Sequence, residues 1–341
     1  MGKISVGILG ATGAVGQTYV KLLENHPLFE IVSLTASPKW EGISYGEALK
    51  DRQREDFSEK TLATVMEPAA PHPLIFSALN NEDGEALELE LASQGSAVFS
   101  HASIHRKSSD IPMIIPEING EHLALIPTQQ KIRGWDKGFL VAKPNCTLQS
   151  FLLPLFPLHQ KYQLKQAVIT TLQSMSGAGA RFELEGNVLP FIEGEEVKTE
   201  QEPLKILGKL EQGKIFPAER MTFSSHCNRV PVCSGHLACV SAQFEKPVDL
   251  ESVYHELDSF PSLSLPSAPQ KPLHIFEDVN RPQPLLDKDL EGGMSVAIGR
   301  LRTCAVFDLR FTALSHNLVR GAAGGSILCA ELALQKGYLH G

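Results

Sequence analysis

A chain of 341 residues is long for a single hydrophobic core, which predicts two domains. Its 43% hydrophobic and 21% charged residues are ordinary for a globular protein, and a net charge of −8 with no basic stretch to offset it argues against a nucleic-acid partner. No apolar run approaches membrane-spanning length, the chain enters an apolar strand at Ile4 with no basic or long apolar leader, and six cysteines form no disulfide framework, so a cytoplasmic protein is expected.

Residues Ile4 to Leu9 read as a short buried strand, followed by Gly10-Ala11-Thr12-Gly13-Ala14-Val15-Gly16 and a helical pattern through Val20, Leu22 and Leu23. Glycines spaced G-x-x-G-x-x-G after a first strand let the backbone approach a pyrophosphate, which then lies on the helix N-terminus. The spacing is not the strict G-x-G-x-x-G form, and a tight turn without a ligand is the plain alternative; the strand-loop-helix setting favours the dinucleotide. A second strand, Glu30 to Ala36, ends in Thr35-Ala36-Ser37-Pro38-Lys39, which holds no acid for a ribose 2′-hydroxyl and one cation. Ser37 and Lys39 suit a 2′-phosphate, so NADP is favoured over NAD, although a solvated loop lysine is a common alternative. Strands at Leu74 to Leu79 and Ala97 to Phe99 flank a helix at Asp83 to Ser93. Such alternation predicts an α/β, Rossmann-like parallel sheet with its cofactor at the strands' carboxyl ends.

Phe139 to Ala142 is a further apolar run, and Lys143-Pro144-Asn145-Cys146-Thr147 leads from it into a helix at Leu148 to Tyr162. A cysteine between strand and helix meets backbone N–H groups and the positive end of the helix dipole, both of which favour the nucleophilic thiolate. A lone cysteine is more often a small buried apolar group. Here the dinucleotide loop, a histidine on a glycine turn and separate anion-binding groups reverse that preference.

Beyond this helix the texture changes. Strands are expected at Gln166 to Gln173, Leu237 to Phe244, Ser295 to Leu301 and Ala305 to Ala313, with a helix from the Glu193-to-Lys198 segment through Leu210. Pro261 to Pro284 reads as a long surface loop, and Gly321 to Lys336 as helix. Runs of strands with fewer helices predict a second, α+β domain around a mostly antiparallel sheet. His236, after Gly235, is a candidate acid/base because histidine titrates near neutrality, but with twelve histidines in the chain the sequence alone does not select it. His226, Cys227, Cys233, His236 and Cys239 crowd together in a spacing that matches no zinc pattern, so no metal is expected.

These residues together resemble the aspartate-semialdehyde dehydrogenase family, especially its archaeal-and-fungal-like branch, over nearly the whole length. The carriers are the Gly10-to-Gly16 loop, Pro144-Asn145-Cys146-Thr147, Leu172 to Gly179, Gly194-Glu195-Glu196-Val197-Lys198, Cys227 to Val232, Gly235-His236, Asp278 to Pro284 and His316 to Gly324. The resemblance implies an NADP-binding domain at 1–146, completed by a C-terminal helix at about 317–341, and a catalytic and dimerisation domain at 147–316. It implies that Cys146 is the nucleophile that forms an acyl-thioester and His236 the acid/base. It places Asn145 and Gln173 beside the substrate, Arg229 on its α-carboxylate, Glu195 (with Glu196 as the neighbouring alternative) on its amino group, and Lys198 and Arg106 on phosphate, with Lys107 the alternative to Arg106. On the cofactor side it matches Gly10, Thr12, Gly13, Ala14, Val15, Ser37, Ser176, Gly177 and Asn317. Relatives often carry arginine and serine after the serine at the end of the second strand; this chain has Lys39 and Trp40 after Ser37-Pro38.

The implied activity is reversible, NADP-dependent reductive dephosphorylation of 4-phospho-L-aspartate to L-aspartate 4-semialdehyde, in lysine, threonine and methionine biosynthesis, by a homodimer or dimer of dimers. Malonyl-CoA reductase shares the architecture but needs no amino-group site and no small phosphate pocket, so Glu195, Lys198 and Arg106 favour the aspartate reading. A cofactor-binding regulatory protein with a dead site is the alternative of a different class, and the presence of both Cys146 and His236 argues against it.

Overall fold

A computed structural model describes residues 2–178 and 184–340, the side chain of Asp83 excepted. Gly179, the last residue of one resemblance motif, lies outside the described residues. The chain divides into two units. The first takes in the chain up to Pro144, Leu210–Ile215 and the chain from Ala322 on; the second is Asn145–Lys209 with Phe216–Gly321.

The first unit is built on five strands, β1 (Ile4–Leu9), β2 (Phe29–Thr35), β3 (Leu74–Ser77), β4 (Ala97–Ser100) and β5 (Phe139–Ala142). All are parallel, in the order β2-β1-β3-β4-β5. Every residue of β3, β4 and β5 is buried. That is why these strands are short continuous apolar runs rather than alternating ones: a parallel sheet is covered on both faces. The chain leaves β1 toward β2 on one side and returns to β3 on the other, so the order reverses between β1 and β3. The carboxyl end of such a switch point is where open α/β sheets bind ligands, and the Gly10 loop stands there. The helix Gly324–Gln335 belongs to this unit, and all of Gly324–Ala333 is buried. Its Glu331 meets His26 at 2.8 Å, both groups being buried.

Six strands form the sheet of the second unit: β6 (Leu164–Gln173), β9 (Thr222–Arg229), β10 (His236–Phe244), β11 (Leu273–Phe276), β12 (Val296–Thr303) and β13 (Leu309–Ser315); a separate two-stranded ribbon pairs β7 (Lys209–Glu211) with β8 (Lys214–Phe216). The order is β11-β12-β13-β10-β6-β9. The three inner pairs are antiparallel and both edge pairs parallel, so the sheet is mixed. β6 alternates buried and half-buried residues along its length, with one face toward the core. The helix Leu148–Tyr162 packs on β10, β12 and β13, and the helix Glu195–Ile206 on β9.

Several boundaries differ from the sequence expectation. β11 lies inside the proline-rich stretch expected as loop, where Leu273 to Phe276 adds a parallel edge strand to β12. The strand expected from Ala305 begins at Leu309, because residues before it make the turn out of β12. The helix expected through Leu210 stops at Ile206, ahead of β7.

Candidate active site

The sheet register of the second unit assembles the site. β6 and β9 run parallel with Gln173 opposite Arg229, so both strands end side by side. β10 runs the other way and starts at His236, which pairs with Ser315 at the end of β13. Gln173, Arg229, His236 and the His316-Asn317 exit of β13 therefore share one edge of one sheet.

The cysteine loop belongs to the same unit. Asn145 folds the chain into a turn: its Oδ1 accepts from the Thr147 N–H at 2.9 Å, and Cys146 arrives directly ahead of the helix Leu148–Tyr162. The N-cap residue Thr147 makes no side-chain cap bond, and Cys146 directly precedes this positive end of the helix. Gly321 lies against Cys146 from behind; a Cβ on Gly321 would come within 2.8 Å of the Cys146 Cβ.

Glu195 organises the polar groups around Asn145. The Asn145 amide donates to both Glu195 oxygens (3.0 and 2.9 Å), the Gln173 amide donates at 3.2 Å, and the Lys198 ammonium at 2.8 Å. Burial by itself would raise the Glu195 carboxyl, but the Lys198 charge and these donors outweigh it and hold the group below the usual carboxylate range. Glu196 is turned elsewhere, accepting from the Cys227 backbone N–H at 3.3 Å, which separates the two neighbouring acids by direction.

His236 is fully buried. Its Nδ1 accepts from the Ser174 backbone N–H at 3.1 Å, and an amide N–H can only donate. The neutral ring therefore carries its proton on Nε2, an atom that has no protein partner among the described residues. Burial, with the Arg229 charge adding to it, pushes the His236 pKa down to about 3, so the ring is neutral around pH 7. Arg229 donates to the Ser174 carbonyl at 2.8 Å. Burial pushes its pKa down, while Cys146 and Glu195 act in the opposite sense. Gly177 closes on both groups: a Cβ there would sit 2.8 Å from Arg229 Nη1 and 3.0 Å from His236 Nε2. Asn317 ties this loop to the histidine turn, accepting from the Gly235 N–H at 2.9 Å and donating to Ser176 Oγ at 2.9 Å.

In the first unit, Gly10 has φ +74°, which a side chain resists, and a Cβ there would press the Ala78 carbonyl oxygen at 3.1 Å. A Cβ on Gly16 would come within 2.1 Å of the Gly10 carbonyl oxygen. Gly13 meets little and opens the start of the helix Ala14–Leu23, whose first N–H groups have no side-chain cap. A cradle of this kind fits a pyrophosphate. Thr12 and Val15 flank this opening; Ser37 and Lys39 are exposed on and beside the turn Pro38–Trp40 that follows β2. Arg106 sits on the turn Ser103–Lys107 and donates to the His101 carbonyl at 3.1 Å, whereas Lys107 is exposed.

Two groups of contributors escaped the sequence reading. Glu202, a buried acid on the helix that starts with Glu195, accepts from the Asn145 N–H at 2.7 Å. Its spacing of seven from Glu195 puts both on one helix face, and that periodicity was the available signal. Ser174 touches His236 through both its N–H and its hydroxyl, at 3.1 and 3.2 Å, which no residue pattern announces. The cysteine and histidine crowd is dispersed by strand alternation: Cys227 and His236 turn inward, His226 and Cys239 outward.

A parallel nucleotide-type sheet, and a second sheet whose edge gathers an imidazole, an arginine and an amide in the unit that also holds the Cys146 loop, describe the class of two-domain dehydrogenases. Models of known families agree: residues 5–126 match the semialdehyde dehydrogenase NAD-binding domain and residues 155–320 the semialdehyde dehydrogenase dimerisation domain. Among similar proteins, the aspartate-semialdehyde dehydrogenase of Archaeoglobus fulgidus is 41% identical across 98% of this chain and 99% of its own length, and that of Methanothermobacter thermautotrophicus 40% identical across 96% and 98%. The crystal structure of aspartate semialdehyde dehydrogenase with NADP from Candida albicans superposes with a TM-score of 0.90 at 34% identity, covering 99% of this chain and 100% of that one. The chain belongs to the aspartate-semialdehyde dehydrogenase family. No helix among the described residues is long and apolar enough to cross a membrane.

Proposed function

We propose that the chain reduces 4-phospho-L-aspartate to L-aspartate 4-semialdehyde with NADPH, releasing phosphate, and runs the reverse reaction as well. The single observation that carries this reading is the polar clamp at Glu195, held ionised and joined to Asn145 beside the Cys146 thiol. An ionised buried carboxylate suits an ammonium, which a CoA thioester of a simple dicarboxylic acid does not carry.

In this reading Cys146, as thiolate, attacks the acyl phosphate carbon; the C–S bond forms, the C–O bond to phosphate breaks, and an acyl-thioester results. Lys198 and Arg106 take the phosphate charge. Arg229 grips the α-carboxylate with parallel N–H donors, and Glu195 takes the α-ammonium. Bound NADPH supplies a hydride to the thioester carbon. The His236 Nε2–H, fixed by the Ser174 N–H on the opposite nitrogen, donates to the oxygen that gains negative charge. Collapse of the resulting thiohemiacetal oxyanion breaks the C–S bond, frees the aldehyde and returns the thiolate, with His236 keeping its proton.

The residues suited to the cofactor are Gly10, Thr12, Gly13, Ala14, Val15, Ser37 and Lys39 in the first unit and Ser176, Gly177 and Asn317 in the second. The domain division at 146 and 317, with a catalytic and dimerisation domain between, is part of the same reading. So are a cytoplasmic enzyme, assembled as a homodimer or a dimer of dimers, and a place in lysine, threonine and methionine biosynthesis. The test is a pair of assays on the purified chain. NADP should be reduced by L-aspartate 4-semialdehyde only when phosphate or arsenate is present, and NADPH should not be oxidised by malonyl-CoA. Malonyl-CoA turnover without aldehyde turnover would overturn the assignment.

A further inference from the structure

Beside the glycine loop stands a cationic cluster that the proposed function leaves mostly unused. Trp40 ends the turn after β2, and two cations face its ring: Lys39 Nζ lies 5.0 Å from the ring centroid and Arg52 Cζ 5.6 Å. Lys39 is there by adjacency, but Arg52 is twelve positions further along. Two anchors bring it back. The buried Tyr45 hydroxyl donates to the Ala11 carbonyl at 2.8 Å. Gln17, 1% exposed, does more. Its amide nitrogen donates to the Thr12 carbonyl (3.0 Å) and the Arg52 carbonyl (3.1 Å), and its oxygen accepts from the Arg54 N–H at 2.8 Å. One buried amide thus joins the glycine loop to the backbone on both sides of residue 53. Exposed amides would spend such bonds on water; a buried one holds its partners in place.

The consequence is a fixed pair of cations at the carboxyl end of β2, where a dinucleotide bound at the β1 loop places its adenosine ribose. Neither Lys39 nor Arg52 has a carboxylate partner among the described residues. The indole face restrains both side chains without neutralising them, since a cation–π contact leaves the N–H donors at the ring's edge free. A guanidinium offers a phosphate two parallel donors, whereas lysine offers a point charge.

We propose that Arg52, stacked with Lys39 on Trp40 and tied to the glycine loop through Gln17, is the residue that discriminates the 2′-phosphate of the cofactor. This rests on the NADP reading above and deepens it: the preference comes from a distant loop residue more than from the residue that follows β2 directly. Trp40 is a positioning residue, and its ring makes it a reporter.

Calorimetric titration of the full chain with 2′,5′-ADP, which carries the phosphate, and with 5′-AMP, which lacks it, tests this. The wild type should prefer 2′,5′-ADP. In Arg52→Gln that preference should fall roughly tenfold, the scale of one lost charge-assisted bond, with 5′-AMP affinity unchanged within about twofold. Arg52→Lys keeps charge and fold and should retain part of the preference. Fluorescence of Trp40, one of two tryptophans in the chain, should respond to 2′,5′-ADP in Trp135→Phe protein and lose most of that response when Arg52→Gln is added. A preference left intact by Arg52→Gln overturns the assignment of Arg52 alone. Absence of any preference in the wild type overturns the NADP reading together with it.

Discussion

At the end of β1 the chain is shaped by what its residues lack, and at Asn145-Cys146 by what surrounds them. The glycine loop exposes backbone: Gly10 takes a positive φ, Gly16 lies on the Gly10 carbonyl, and the helix N-terminus carries no side-chain cap. The cysteine loop is held by side chains: Glu195 and Glu202 accept from Asn145, and Gln173 and Lys198 donate in turn to Glu195. A site made of backbone is damaged by adding atoms. A site made of buried polar side chains is damaged by removing partners, because the group left behind keeps its desolvation cost. Gly177 belongs to both kinds, a glycine pressed against Arg229 and His236.

The comparison is broken most severely at the thiol. Cys146→Ala should lower turnover by about 10⁴-fold or more while NADP affinity, measured by calorimetry, stays within about twofold. Intact-protein mass spectrometry should find one acyl adduct on wild type given acyl phosphate without reductant, and none on the variant. Substantial turnover in the variant would remove Cys146 from the chemistry.

Next comes a methyl group in each kind of site. Gly177→Ala should cut kcat by about 10²-fold, since displacing reacting groups by a fraction of an ångström has that effect, with the melting temperature nearly unchanged. Gly16→Ala meets backbone that has no way to yield, so it should lower stability by about 1–3 kcal/mol and abolish nucleotide binding. If Gly177→Ala keeps wild-type kcat, the closeness of residue 177 to the imidazole has no catalytic meaning.

A smaller effect separates the cations of the second unit. Arg229→Lys keeps charge but loses the planar fork, so KM for the aldehyde should rise about tenfold with KM for phosphate unmoved. Lys198→Ala, and Arg106→Ala in the first unit, should raise KM for phosphate most. Equal changes in both constants for every variant would dissolve the carboxylate and phosphate subsites into one.

The smallest effect near neutrality is on acid stability. Burial pushes the pKa of His236 and His101 down to about 3 and that of His316 to about 4. Each titrates near 6.5 when unfolded, so below that pH the unfolded chain binds protons the folded chain refuses. Stability is therefore complete above about pH 6.5 and is lost as the pH falls toward 3–4, by up to about 1.4 kcal/mol per pH unit for each ring. Two of the three rings lie in the second unit. Urea denaturation from pH 7.5 to 4.5 should show the decline, and His316→Asn should flatten it. A pH-independent midpoint would mean that these rings are not buried neutral.

The sequence made some elements plain and hid others for physical reasons. β5 and the helix Leu148–Tyr162 fall at the expected residues, the helix despite Pro154 and Pro157, because the short apolar run is continuous and the helical pattern is long. β9 was not expected: Thr222–Arg229 alternates with serine, histidine and cysteine, and only half its residues are buried. β11 was masked by surrounding prolines, which restrict neighbouring residues but do not prevent an edge strand. Cys146 stood out by its place between strand and helix and His236 only through the family resemblance, and the register of β6, β9 and β10 explains why Gln173, Arg229 and His236, far apart in sequence, reach one sheet edge. The turned-away carboxylate of Glu196 and the Nε2–H tautomer of His236 depend on three-dimensional direction, which no one-dimensional pattern carries.

The buried meeting of His26 with Glu331 spans 305 positions. Ten successive buried residues of the helix Gly324–Gln335 belong to a unit whose sheet strands all precede Lys143, and the helix packs against the helices Ala14–Leu23 and Pro116–Asn119. During synthesis, the strands of the nucleotide-binding sheet are made early, yet the helix that belongs to the same unit is made only after the intervening unit. Until then the first unit lacks the partner for the apolar surface that this helix covers, for as long as translation of the intervening unit lasts. Pairings of such long separation close slowly and leave a window for self-association. The order of elements thus makes the nucleotide-binding half, made first, the half that matures last, and places its greatest demand for chaperone protection before any active site exists.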